Sequence, residues 1–336
     1  MLLKNLFTFL PKSHRPASYG NSKGVYPFFS SSNTIDKYVD TPDYLGEFLI
    51  IGDGGTGNCK YYNGGFSTTD HTYILKPKEG TNCQLVYYFL KKDNYQRLND
   101  GFKGVGIKNV SKSYIENIDF QKKCNSSDAD VLFALNSLEK LIGSEKEKVQ
   151  QYDNLIKSRF NEMFGKCNIW NNLENISHRI TDGSHNPPKG VACSDFIMLS
   201  SQNVFDDLDL SGVRYLSKDD YLHENKRTCI EKDDVLLTIV GTIGRTHVVR
   251  KNENFVFQRS VAVIKPDHKY IRGRYLSEYL KTDDAASQFE ISGHGVAQKG
   301  IYLGNLKKLS IKVPPLGLQD SFIDFLEQVD KLKFIV

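Results

Sequence analysis

The chain has 336 residues, 39% of them hydrophobic and 25% charged, with a net charge of +4. That is enough for about two domains, each with its own core, and the charge and apolar content are those of a soluble globular protein. No apolar run of about 18 residues occurs, which excludes a transmembrane helix, and so mild a net charge permits nucleic-acid binding without arguing for it, because patches matter more than totals.

The amino terminus, MLLKNLFTFLPKSHRP, has too short an apolar stretch for a signal peptide and no small-residue cleavage site, so it reads as mature protein. Cys59, Cys83, Cys124, Cys167, Cys193 and Cys229 contain no pair at CxxC spacing. That leaves no zinc or redox motif and points to a reduced, cytoplasmic chain.

In chain order, residues 1–50 hold short strand-like runs broken by Pro11, Pro16, Gly20, Gly24 and Pro27. Phe48–Ile51 predicts a buried strand running into the glycine loop Gly52–Gly57. A strand follows around Thr72–Leu75, ended by Pro77, then a helix over Leu85–Leu98, the loop GFKGVGIKNV and a strand around Tyr114–Phe120.

Ser126 to Phe164 predicts one long helix. Its heptad positions are Leu135, Leu138, Ile142, Glu145, Val149, Tyr152, Ile156, Arg159 and Met163, a narrow apolar seam on a polar helix. Ser126, Ser127 or Asp128 can cap its start, and Gly165 follows its last apolar residue. Such a helix spans roughly 55 Å at about 1.5 Å per residue. It suits either an ordinary interdomain helix or a spacer that sets a distance between two similar domains.

The second half repeats the order of the first. Val235–Val240 is a strand entering Gly241–Gly244, Val261–Ile264 a strand before Pro266, Arg274–Leu280 the start of a helix, and Leu309–Val313 a strand. Pro77 answers to Pro266 at an offset of 189, and Leu90-Lys91 to Leu280-Lys281 at 190. Gly104-Val105, Lys108 and Leu138–Leu141 answer to Gly295-Val296, Lys299 and Val329–Leu332 at 191. The chain is therefore two copies of one unit, each a domain followed by a helix. By the same offset Val336 answers to Glu145, so the second helix is expected to be the shorter, with nothing to match residues 146–164.

Several motifs tempt a catalytic reading. GDGGTG at 52–57 lacks a following GK[ST] and a helix, so a tight turn explains it better than phosphate binding. Asn186-Pro-Pro-Lys189 resembles the adenine methyltransferase loop NPP[YFW] but has Lys where an aromatic stacks on a flipped base. Asp182, Ser184 and His185 share one polar loop, which local sequence alone does not make a catalytic triad. What recurs in both halves are polar and basic clusters in loops and at strand ends. They are rich in the Arg, Lys, Gln, Asn, Ser and Thr side chains that read base edges and hold phosphates.

The chain resembles the specificity subunit of type I restriction–modification systems. The residues that carry the resemblance are ITDGSHNPPKG at 180–190, DVLLTIVGTIGR at 234–245, Gln258-Arg259-Ser-Val-Ala, GVAQKGIYLGNLKKLSIKVPPLGLQ at 295–319, and a helix after each domain. The first domain matches more loosely, with GVGIKNV at 104–110 standing for GVAQKGI and DFQKK at 119–123 in place of PPLxxQ. The resemblance implies two target recognition domains, each reading half of a bipartite double-stranded DNA site, and helices packed antiparallel as a spacer. It also implies two docked modification subunits, which bind S-adenosylmethionine, and restriction subunits in the full complex. The specificity subunit itself implies no catalysis, no cofactor, no metal and no membrane.

The resulting expectation is an α/β (α+β) chain with a pseudo-two-fold internal repeat. Its parts are a recognition domain over 1–124, a spacer helix over 125–165, a second recognition domain over 166–314 and a shortened helix over 315–336. The expected DNA-binding residues in the first half are His14, Arg15, Ser31, Asn33, Thr69, His71, Lys103 and Lys108. In the second half they are Thr181, Asp182, Ser184, His185, Lys189, Arg245, Gln258, Arg259, Gln298 and Lys299. The spacer seam is Leu135, Leu138, Ile142, Val149, Tyr152, Ile156 and Met163. The alternatives are an adenine-specific DNA methyltransferase using the NPPK loop, and a coiled-coil scaffold that binds no DNA.

Overall fold

The structure, a computed structural model, describes residues 1–106, 108–121, 127–251, 254–292 and 300–335. The chain forms two compact units, Met1–Ile142 and Gly143–Val336.

In the first unit α1 (Leu3–Leu6) leads into β1 (Phe7–Phe9), followed by β2 (Tyr26–Phe29), β3 (Tyr38–Val39), β4 (Tyr44–Gly52), β5 (Cys59–Thr68) and β6 (Thr72–Pro77). These form one sheet in the order β1-β6-β4-β5-β2-β3. Phe48–Ile51 is a continuous apolar run because β4 is buried on both faces. Leu49 and Ile51 pack with Leu3, Phe7, Val86 and Leu90, while Phe48 and Ile50 pack with Phe29 and Phe66. Helix α2 (Cys83–Asn99) is capped by Asn82, whose side chain accepts from Leu85 N, and is interrupted at Lys92–Tyr95. The hairpin β7 (Phe102–Lys103) and β8 (Asn109–Val110) precedes α3 (Lys112–Glu116). A strand is expected around Tyr114–Phe120. The structure has α3 there instead, because the Ser111 hydroxyl accepts from Tyr114 N and starts a helical turn. Asp119 makes an isolated bridge to Leu2.

Helix α4 (Asp128–Phe164) is the long helix expected from the sequence. Ser127 caps it by accepting from Asp130 N at 3.1 Å, and Gly165 N donates to Asn161 O at its end. In the first unit it is tied to α2: Gln84 and Tyr88 donate to Asn136, and Lys91 pairs with Glu139.

The second unit runs β9 (Trp170–Asn172), a 3-10 turn (Leu173–Ile176), β10 (Ser177–Asp182), β11 (Ile197–Leu199), β12 (Arg214–Tyr215), α5 (Lys218–Thr228), β13 (Val235–Thr238) and β14 (Thr246–Val248). It continues with β15 (Phe255–Phe257), β16 (Val261–Pro266), α6 (Gly273–Tyr279), α7 (Asp283–Ser292), α8 (Leu303–Lys307), β17 (Ser310–Lys312) and α9 (Leu316–Ile335). The strand orders are β10-β16-β13-β14, β12-β11-β15 and β17-β9.

The repeat seen in the sequence is a repeat of topology. β1 pairs with β6 as β10 pairs with β16, Phe7 with Pro77 and Ser177 with Pro266. Leu49 pairs with Leu75 as Val235 pairs with Ile264, and the parallel partners Phe29 and Thr68 answer to Leu199 and Phe257. The continuous β5 of the first unit is divided into β14 and β15 in the second, and the two halves of α2 become α6 and α7. Even the entry turn repeats: Leu3 N donates to Ile118 O at 3.0 Å, and Leu173 N to Leu309 O at 2.9 Å.

The seam of α4 is partly corrected. Within the second unit α4 and α9 pack antiparallel, since Phe160 and Phe164 meet Phe322 while Asp153 meets Lys333. The buried residues there are Ile156, Phe160 and Phe164, with Tyr152 and Met163 packed beside them. Strict heptad spacing places Arg159 on that seam. It lies exposed at the edge, paired with Glu162 and over the Phe325 ring at 5.9 Å, because the buried stripe steps by four residues from 152 to 164. Leu138, Ile142 and Val149 are exposed and Leu135 is half-buried. Glu145 pairs with Lys148 on the surface.

Candidate nucleic-acid interface

In the first unit the polar loops converge on the turn after β4. Gly52 and Gly57 serve close packing, a Cβ on Gly52 lying 2.8 Å from Ser31 Cα and one on Gly57 2.9 Å from Leu98 Cβ, while Gly55 supplies a φ of 88° in open space. Asn58, 2% exposed, donates to Ser31 O, and Lys60 donates to Ser30 O and Asn58 Oδ1. Burial pulls the Lys60 ammonium below the ordinary lysine range. The β7–β8 hairpin is stitched to the same turn, with Gly55 N donating to Lys108 O and Val110 N to Asp53 O, both at 2.9 Å. Asp53, 7% exposed, takes Lys12 on one oxygen and has His71 Nδ1 3.4 Å from the other.

Of the expected residues in this unit, His14, Asn33, His71, Lys103 and Lys108 are exposed, and Ser31 is half-buried. Thr69 is 1% exposed and accepts from His71 N, so it builds the turn and does not face solvent. Arg15 is committed as well. Its guanidinium donates to both oxygens of Asp43 at 2.6 and 2.5 Å and stacks over Tyr19, and it holds the Asp43 carboxyl below the usual range. Burial takes Thr69 off the solvent-facing surface, and Arg15 has its Nε–Nη2 edge engaged by Asp43.

In the second unit the loop after β10 packs against the residues after β15. Ser184 N donates to Phe257 O at 2.7 Å and Arg259 N to Ser184 O at 2.9 Å, so TDGSH and Gln258-Arg259 form one surface. Asp182, 6% exposed, is tied to Arg227 and to His185 Nε2 at 2.7 Å. Thr181 and Ser184 are buried too, so Thr181, Asp182 and Ser184 hold the loop in place, while His185, Lys189 and Arg259 are exposed and Gln258 is half-buried. Arg245 lies over the Phe205 ring at 4.3 Å, beside the turn in which Gly241 and Gly244 have φ of 83° and 94°. Gln298 and Lys299 lie outside the described residues.

The Ser and His of the two loops align. A bulge between Ser177 and Arg179 moves the offset to 171, at which Ser13-His14 meets Ser184-His185. The anchors behind them repeat as well, with Thr69 N on Phe29 O and Gln258 N on Leu199 O, both at 2.9 Å. Among the described residues no His, Cys, Asp and Glu cluster could hold a metal ion. Burial pushes the Cys59 thiol up to about 12, so it is no nucleophile at neutral pH.

Residues 3–151 and 203–335 match the type I restriction modification DNA specificity domain. The chain belongs to this family. It carries two specificity domains, and its role is DNA specificity. A type I restriction enzyme specificity subunit of Haemophilus influenzae is 24% identical over 327 residues, covering 92% of this chain and 81% of the relative. The EcoBI specificity subunit of Escherichia coli is 30% identical over 188 residues, covering 55% of this chain and 38% of the relative. The crystal structure of the type I restriction–modification S subunit of M. genitalium shares the fold, with a TM-score of 0.57 at 14% identity over 99% of this chain and 89% of that one.

Sequence reasoning missed the residues that hold these polar loops from behind. Lys12, Asp53, Asn58 and Arg227 stand outside the obvious polar clusters, and Arg227 reaches Asp182 from α5, 45 residues away in sequence. No local spacing signals such a contact.

Proposed function

We propose that the chain reads a bipartite double-stranded DNA target, one specificity domain per half-site, and carries the modification subunits of a type I restriction–modification complex without catalysing a step itself. The observation that supports this best is the equivalence of the two polar faces: the same loops follow the same strands, held by the same backbone hydrogen bonds from Thr69 and Gln258. Two weak readers on one chain gain avidity through effective concentration when their spacing fits. Exposed His14, Asn33, Lys103 and Lys108 in one domain, and exposed Lys189 and Arg259 with half-buried Gln258 in the other, supply donors for phosphates and base edges. The residues argue against catalysis. NPPK has no aromatic for a flipped base, and the serine beside the Asp182–His185 pair is only 5% exposed.

The test is a binding selection over randomised half-sites. Arg259→Ala should cost about 1–3 kcal/mol and relax one or two bases in one half-site. Lys103→Ala should weaken binding evenly over all sequences and lower the salt slope by about one. If Arg259→Ala loosens both half-sites equally, the one-domain-per-half-site reading falls. S-adenosylmethionine bound by the chain alone would favour a methyltransferase, and salt-independent or absent DNA binding would favour a scaffold.

A further inference from the structure

We propose that His71 and His185 are the base-reading side chains of the two domains, each standing against a buried carboxylate that does not itself meet DNA and that in the second domain fixes the ring by a hydrogen bond. This rests on the two-reader function above and names the residues that would carry it out.

In the second domain the Asp182 side chain is 8% exposed and the His185 side chain 53%. One Asp182 oxygen takes Arg227 Nη2, its backbone carbonyl takes Arg227 Nε at 2.9 Å, and its other oxygen faces His185 Nε2 at 2.7 Å. A carboxylate only accepts, so Nε2 carries the hydrogen and the ring is fixed in tautomer and orientation. Its other nitrogen, Nδ1, points away from the carboxylate.

The first domain places a histidine beside a buried carboxylate too, with no hydrogen bond between them. The Asp53 side chain is 10% exposed, its Oδ2 takes Lys12, and Lys12 lies over the Tyr73 ring at 4.4 Å. Among the described residues Asp53 Oδ1 is a buried oxygen with no hydrogen bond, and His71 Nδ1 stands 3.4 Å from it. An unsatisfied buried carboxylate oxygen is costly, and His71 is the group placed to relieve it. The His71 side chain is 64% exposed, with Nε2 3.9 Å from Asp70 Oδ1.

The two devices do not descend from one position of the repeat, since the histidine aligned with His185 is His14. Each domain therefore sets a half-exposed imidazole against a buried carboxylate by its own route, among the loops that face solvent. A half-exposed ring adds little packing, so this placement is best explained by recognition. The outward nitrogen accepts from the exocyclic amine of adenine or cytosine when the ring is neutral, and donates to guanine O6 or N7 when it is charged.

The experiment is selection of randomised double-stranded DNA by the full chain and its variants. His185→Ala should lose about 5- to 150-fold discrimination at one or two positions of one half-site, and His71→Ala the same in the other. Asp182→Asn and Arg227→Ala should relax the same positions as His185→Ala, a pattern that a general loss of folding would not produce. Both histidines are exposed, so their alanine variants decide the matter even if Asp182→Asn fails to fold. Wild-type base preferences in His71→Ala and His185→Ala, with Arg259→Ala still relaxing one half-site, would overturn the histidine readers and leave the two-reader function standing. Relaxation of both half-sites by His185→Ala would leave the reader and remove the division of labour.

Discussion

Phe164→Ala should destabilise the second unit by about 3–5 kcal/mol, the usual cost of removing a buried phenylalanine. Phe164 is fully buried, and its ring meets Phe160, Tyr275 and Phe322 with centroids 4.9, 5.0 and 5.3 Å apart. The end of α4 is thus part of a domain core shared with α6 and α9, not only a spacer. Ile142→Asp is the control. Ile142 is 55% exposed, so an aspartate there is solvated and the change should stay within about 0.5 kcal/mol. Chemical unfolding followed by hydrogen exchange checks both, with lost protection expected in residues of the second unit for Phe164→Ala. Equal destabilisation by the two variants would mean that the exposed stretch of α4 carries as much packing as its end.

The same helix shows what the sequence can and cannot reveal. Its length, its Ser127 cap and its end at Gly165 follow from local rules and are found in the structure. Its buried face does not, because Phe160 and Phe164 join a core made by α6 and α9, more than 100 residues further along. From β6 onward the repeat is legible from offsets, which stay between 189 and 191. Before it, loop insertions move the offset from 170 at Phe29 and Leu199 to 186 at Leu49 and Val235, and only the paired strands reveal the match. Arg15 shows the limit for site residues. Its type and place suit DNA, but Asp43, 28 residues on, takes its Nε–Nη2 edge. Composition locates polar loops, and only tertiary contacts separate the side chains that face outward from those that hold the loop.

Gly183→Ala should remove recognition by the second domain while sparing the first. A Cβ at Gly183 would lie 2.0 Å from Phe257 O and 2.5 Å from Gln258 O, both backbone atoms that cannot swing aside. Ser184 N and Phe257 O, now 2.7 Å apart, would have to separate, and with them the contact between the TDGSH loop and Gln258-Arg259. Overpacking of this kind costs about 1–3 kcal/mol and is relieved by backbone shifts. Such a shift moves His185 and Lys189 away from Arg259, so one half-site loses its reading geometry. At the offset of 171 the first domain has Lys12 in this place, so its loop accommodates a side chain and does not depend on so close an approach. Gly183→Ala should therefore still fold, with a lowered unfolding midpoint, and select DNA in which only one half-site is defined. If it selects the wild-type target at wild-type affinity, close packing of Gly183 on Phe257 is not what presents the loop to DNA.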